Sequence, residues 1–173
     1  KLNVKVCATH AGLTVGEDGA SHQCIEDLAV MRALPNMLVL SPCDEIETKL
    51  AIKAAIEHDG PVYVRLGRLG VEAVHDPETF KFEVGKGVEI KEGTDLTIVA
   101  TGLMVEMALN ASEALKAEGI NARVINIHTI KPIDREILVK AAKETGAVVT
   151  CEEHNIIGGL GSAVAEVLCE EAP

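Results

Sequence analysis

Short apolar runs alternate with longer amphipathic stretches along this chain. Residues 4–8 ("VKVCA"), 37–40 ("MLVL") and 62–66 ("VYVRL") are continuous β-type runs bounded by turn signals. Between the first two, residues 23–34 carry Ile25, Leu28, Ala29 and Arg32 at helical spacing. Ser41-Pro42-Cys43-Asp44 reads as a helix start, with Ser41 as N-cap, Pro42 at the first helical position and Asp44 as the acid two residues later. That helix is predicted to run to about His58, where Asp59-Gly60-Pro61 stops it. From Leu69 to Gly87 neither period persists, and Pro and Gly interrupt the pattern, so this stretch is predicted to be a connector. A second alternating set follows. It comprises a strand at 95–101, a helix with Met104, Met107, Ala108, Ala111 and Leu115 on one face, and a strand at 122–127. A helix from Asp134, a strand at 147–151 and a last helix opened by "GGLGS" complete it.

Strands separated by helices of this length predict an α/β fold, because a parallel pairing needs a crossover of a dozen or more residues. The expected architecture is two β-α-β modules with mostly parallel sheets covered by helices. The predicted boundaries are residues 1–68 for the first module, 69–87 for the linker and 88–173 for the second. In open parallel sheets, ligands collect at the carboxyl ends of strands. His10 and Arg68 both fall just after a predicted strand.

Composition narrows the function classes. At 47% hydrophobic, the 173 residues can bury a real core, which argues against disorder. A net charge of −11 argues against nucleic acid and against an anionic membrane surface as partners, since both reward clustered Lys and Arg. No apolar run reaches membrane-spanning length and no signal-peptide pattern is present. The five cysteines are odd in number, scattered and without a C-x-x-C pair, which fits reduced thiols in a cytoplasmic protein. A small anionic substrate, held by one or two well-placed cations, stays open.

The loop "THAGLTVGEDGASHQ", residues 9–23, joins a strand end to a helix and carries His10, Asp18 and His22. Taken one at a time, these residues fit an ordinary loop, with Asp18-Gly19 as a turn and Ser21 as a cap. Together they could bind hydroxyls or phosphate and move a proton near neutral pH. Arg68 is a natural bidentate phosphate clamp. Arg65 is its rival, because strand alternation does not say which cation faces a site. "GGLGS" lacks dinucleotide spacing and reads as a tight turn with a serine cap. Cys151 and His154 in "CEEH" lack a second ligand pair, and His128 and His154 read as polar strand-end residues, so no metal site is expected.

"THAGLTVGEDGASHQ", "IEDLAVMRALPNMLVLSPCDEIET" and "GPVYVRLGR" resemble the second half of the pyrimidine-binding domain of transketolase. "RVINIHTIKPID" and "EEHNIIGGLGSAVAEVL" resemble the C-terminal domain of that family. The resemblance covers essentially the whole chain and is similar to the split transketolases, in which a separate chain carries the diphosphate-binding domain. Ala11-Gly12 departs from the Asp-Ser of many members, and Ala20-Ser21 from the commoner Pro-Thr.

The resemblance implies a ketol transfer from a ketose phosphate to an aldose phosphate, as in the pentose phosphate pathway. It also implies roles. His10 and Arg68 hold the sugar phosphate, Asp18 binds a substrate hydroxyl, and His22 is catalytic, facing the reacting carbon and the cofactor ring. It implies thiamine diphosphate and Mg2+ bound mainly by parts absent from this chain, because the family's catalytic glutamate and Gly-Asp-Gly motif have no counterpart in these residues. The chain is expected to be incomplete at both ends. It is expected to act only with an N-terminal diphosphate-binding domain or subunit, as a homodimer or heterotetramer. A 1-deoxyxylulose-5-phosphate synthase-like or other thiamine-diphosphate enzyme subunit, and a non-catalytic dimerisation or regulatory module, are the competing expectations.

Overall fold

The computed structural model describes residues 2–173. Among these residues the chain forms two four-stranded sheets and five α-helices. The first sheet contains β1 (Lys5–Ala8), β2 (Leu38–Leu40), β3 (Val62–Arg65) and β7 (Thr129–Lys131), in the order β1-β3-β2-β7. The second contains β4 (Val88–Lys91), β5 (Leu96–Ala100), β6 (Ala122–Asn126) and β8 (Val148–Cys151), in the order β4-β6-β5-β8. Each sheet has two parallel pairings and one antiparallel pairing at an edge. The expected α/β class with mostly parallel sheets therefore holds.

Two strands were not anticipated. β4 pairs antiparallel with β6 directly after the connector. β7 lies in the second half of the chain yet completes the first sheet by pairing antiparallel with β2. The central core is shared in the same way. Leu28, Val39 and Tyr63 from the first half pack in one buried cluster with Val99, Ile125, Ile130, Leu138 and Leu160 from the second. At roughly 1.5–3 kcal/mol for each large apolar side chain buried, neither half could shed the other without losing much of its stabilisation.

The helices are α1 (Asp27–Ala33), α2 (Glu45–Glu57), α3 (Met104–Ala117), α4 (Arg135–Thr145) and α5 (Leu160–Glu171). Helix α1 begins four residues later than its periodicity predicts. The carbonyls of Cys24 and Ile25 are taken by Gly12, Arg65 and Asn155, so they are engaged outside any helical turn. The start of α2 also differs, because Asp44 and not Ser41 is the N-cap: its side chain accepts from the Glu47 amide. Ser41 instead lies in an extended junction, donating its amide to the His128 carbonyl at 2.8 Å. Asp134 caps α4 where the pattern placed that helix start.

The Met face predicted for α3 is only partly inward. Val105, Ala108 and Ser112 are its buried residues, while Met104, Met107, Ala111 and Leu115 line an apolar groove beside Val149 of the edge strand β8. At the start of α5, the carboxylate of Glu152 takes the Leu160 amide at 2.6 Å and the Gly161 amide at 2.9 Å. The expected serine cap is thus replaced by an acid, which also complements the helix dipole. Ser162 ties the turn from inside the helix, accepting from Gly158 and donating to Ile156. Residues 69–87 contain no strand or helix.

Candidate functional site

The loop after β1 is held at both margins and in the middle. Its Ala11 amide donates to Leu66 beyond β3, and its Gly12 amide donates to Cys24. The Gln23 side chain donates to the Leu13 carbonyl at 3.0 Å. Gly12 has a φ of +91°, and a Cβ there would collide with the Glu153 carboxylate, which accepts from the Thr14 amide. Val15 is fully buried and pins the centre of the loop. The polar tip, a 3-10 turn at Gly16–Asp18, faces outward.

His10, Asp18 and His22 are all exposed on this loop. His10 has a left-handed backbone (φ +64°), uncommon for a residue with a side chain, and its Nδ1 lies 3.0 Å from Thr9 Oγ1. The Nδ1 of His22 lies 2.9 Å from Ser21 Oγ. Arg68 reaches the loop from beyond β3, donating to the Val15 carbonyl at 2.7 Å and sitting 3.4 Å from Glu17 and 3.6 Å from Asp18. Its side chain is 33% exposed, so part of the guanidinium faces solvent. The fold therefore brings Arg68 and Asp18 into contact, and leaves both imidazoles open on the same loop.

Arg65, the rival cation, points the other way. It forms a buried pair with Asp27, with Nε–Oδ2 at 2.7 Å and Nη2–Oδ1 at 3.3 Å, and it also donates to the carbonyls of Cys24 and Glu153. Tyr63 donates to the same carboxylate at 2.7 Å. The His154 side chain is fully buried, with Nε2 3.8 Å from Asp27. Burial by itself would raise the Asp27 carboxyl, but the Arg65 bonds and charge, with Tyr63, outweigh it and hold it below the ordinary value. This network fixes the loop's two neighbours, residues 24 and 153, to one strand. Asp27 and Glu153 escape a reading by pattern. The available signal was Tyr63 and Arg65, two residues apart and so on one face of a buried strand.

A deep cleft lies elsewhere. It measures about 550 Å³ and is lined by Pro42, Asp44, Lys49, Leu69, Val71 and Leu103, with none of His10, Asp18, His22 or Arg68 on its wall.

Two family models match: "Transketolase, pyrimidine binding domain" over residues 1–72, and "Transketolase, C-terminal domain" over residues 85–173. The chain belongs to the transketolase family. It is 56% identical to a protein of Methanocaldococcus jannaschii named as a transketolase C-terminal section, over 97% of this chain and 52% of that protein. It is 45% identical to the 6-deoxy-6-sulfo-D-fructose transketolase subunit SqwH of Clostridium sp., over 99% of this chain and 53% of that subunit. A 1-deoxy-D-xylulose-5-phosphate synthase of Heliobacterium modesticaldum is 42% identical over 94% of this chain and 25% of that enzyme. Among solved structures, a split-gene transketolase in an inactive beta4 tetramer superposes with a TM-score of 0.93 at 60% identity, covering all of this chain and 56% of that one. The chain spans about half the length of the first two relatives.

The transketolase family uses thiamine diphosphate. A magnesium-bound diphosphate needs several oxygen ligands from protein and water. On the loop, Asp18 and Glu17 are both directed at Arg68. Among the described residues, the ligand-type side chains that converge are Cys43, Asp44 and His75, none of them on the loop. The residues present do not fit a magnesium–diphosphate site. No helix among the described residues is long and apolar enough to cross a membrane.

Proposed function

We propose that this chain is the substrate-facing section of a two-part transketolase. It completes an active site whose diphosphate-binding domain or subunit comes from elsewhere, and the whole transfers a two-carbon ketol unit from a ketose phosphate to an aldose phosphate. The observation that carries this reading is the contact of Arg68 with Asp18 on a loop that also exposes His10 and His22. Arg68 and His10 take the sugar phosphate. The guanidinium is anchored by the Val15 carbonyl and only loosely approached by Glu17, a highly exposed acid that a phosphate dianion would displace. Asp18, released from Arg68 at the same moment, accepts a substrate hydroxyl. His22 moves a hydroxyl proton near the reacting carbon and borders the cofactor ring. Phosphate binding remote from the reacting bond supplies positioning energy. Residues 1–68 form the pyrimidine-binding unit, 69–87 the linker and 88–173 the C-terminal unit of a cytoplasmic homodimer or heterotetramer.

Similarity to subunits of split transketolases supports the two-part assembly, and the likeness to a deoxyxylulose-phosphate synthase favours a second reading in which pyruvate is the donor. The test is co-expression of this chain with its complementary diphosphate-binding part, assayed with thiamine diphosphate and Mg2+. The expected outcome is transfer from xylulose 5-phosphate to ribose 5-phosphate by the pair, with neither part active alone. Condensation of pyruvate with glyceraldehyde 3-phosphate, without ketol transfer, would replace the first reading by the second. Ketol transfer by this chain alone would refute the two-part assembly.

A further inference from the structure

We propose that the junction between the two sheets is a binding site for one soft divalent cation of the zinc class, ligated by Cys43, Glu47, His75 and Asn126. The four residues come from three parts of the chain. Cys43 and Glu47 surround the start of α2, His75 lies in the connector, and Asn126 ends β6. All four side chains are buried, and Glu47 and Asn126 are fully so.

Five of the six separations among their polar atoms lie between 2.8 and 3.6 Å. Cys43 Sγ lies 3.6 Å from His75 Nε2, and His75 Nε2 lies 3.3 Å from Glu47 Oε1. The Asn126 Nδ2 atom is 3.5 Å from Cys43 Sγ, 3.4 Å from His75 Nε2 and 2.8 Å from Glu47 Oε1. Around zinc, with bonds of roughly 2.0–2.3 Å, neighbouring ligand atoms stand about 3.3–3.8 Å apart. Four of the five separations meet that range within rounding, and the Glu47–Asn126 edge opens by about 0.5 Å. Asn126 ligates through Oδ1 after a half-turn of its amide, which exchanges the Nδ2 bond to Glu47 for a metal bond and moves the nitrogen to the position where Oδ1 now lies without a hydrogen-bond partner.

Charge points the same way. Asp44 and Glu47 bury two carboxylates side by side, and among the described residues neither pairs with a lysine or arginine. The positive partner available to Glu47 is the imidazole of His75. A cation would answer both acids. Asp44 also stands at the site, with a carboxylate oxygen within 4.8 Å of the Cys43 and His75 ligand atoms; its Oδ1 accepts from the Glu47 amide, and its Oδ2 accepts from the amides of Val74 and His75. The His75 ring is fixed from its other face by Phe80, with centroids 3.7 Å apart. Binding exchanges the Cys43 thiol proton for a metal–sulfur bond and leaves the oxidation state of both unchanged. Thiolate, imidazole and two oxygens select zinc or cobalt over magnesium or calcium. Cys43 and Asp44 also line the 550 Å³ cleft, which gives an ion a path from solvent.

The test is independent of ketol transfer. The full chain, stripped with a chelator and dialysed, is titrated with Co2+. One equivalent is expected to bind, with the intense visible absorption of tetrahedral cobalt and a near-ultraviolet thiolate-to-cobalt band, both removed by Zn2+ and untouched by equimolar Mg2+. Cys43→Ser should abolish the near-ultraviolet band, while Cys7→Ser, at an exposed thiol, should retain it. Absence of stoichiometric cobalt binding in the wild-type chain overturns the proposal whatever the variants do. So does a thiolate band that persists in Cys43→Ser.

Discussion

Arg65 and Arg68 lie three residues apart and should fail in opposite ways when replaced. Arg65→Met removes the partner of a carboxylate that is only 7% exposed, and takes the donor away from the carbonyls of Cys24 and Glu153. Stranding one member of a buried pair costs about 3–5 kcal/mol. For a chain of this size, that corresponds to a loss of about 6–20 °C in Tm. Arg68→Gln removes a 2.7 Å bond to the Val15 carbonyl and two long contacts to exposed acids. Exposed pairs contribute about 0–1 kcal/mol, so the expected Tm change is about 4 °C or less. The cost appears in binding instead. Losing one or two charge-assisted bonds to phosphate, about 1.5–3 kcal/mol each, raises KM for a phosphorylated sugar by roughly 10–100-fold or more. The assay is a thermal melt of each variant, followed by kinetics of the assembled enzyme on phosphorylated and unphosphorylated acceptors. Equal losses on the two acceptors with Arg68→Gln would refute phosphate clamping, and an unchanged Tm for Arg65→Met would refute the buried-pair reading.

Three further outcomes are expected. Because Asp27 titrates below 3.8 in the folded chain, its contribution is complete above that value and is lost as pH falls through the lowered folded value. In urea unfolding, the wild-type advantage over Asp27→Asn should be flat near neutral pH and shrink in acid, and an advantage that grows in acid would contradict the assignment. Gly12→Ala meets both a φ of +91° and the Glu153 carboxylate, so it should destabilise by about 1–3 kcal/mol and lower activity by displacing the loop, as a melt and a rate assay would show. Glu152→Ala strips the acceptor from the first amides of α5 and should cost about 0.5–2 kcal/mol in chemical denaturation, with ketol transfer in the assembled enzyme little changed.

Local pattern carried a good deal. The alternation of strands with helices, the helix start at Asp134 and the polar loop after β1 each depend on residues within a few positions of one another, and each was legible before any contact was known. What pattern could not carry was pairing across distance. The late start of α1 depends on carbonyls claimed by residues 12, 65 and 155. The cap of α2 moves to Asp44 because Ser41 is drawn into a junction with His128. β7 joins the first sheet from the far half of the chain, since three residues carry too short a period to announce their partner.

The two arginines show the same division. Sequence by itself placed both beside a strand end, and resemblance to a family favoured Arg68 as the phosphate contact. Only the fold turned Arg65 inward to Asp27 and Arg68 outward to Asp18, because the face a side chain takes is set by what packs against the strand. The convergence of Cys43, Glu47, His75 and Asn126 is likewise a product of tertiary structure alone. Beyond the four-residue step from Cys43 to Glu47, those residues share no spacing in sequence, and they meet only when two sheets and a connector close on one point.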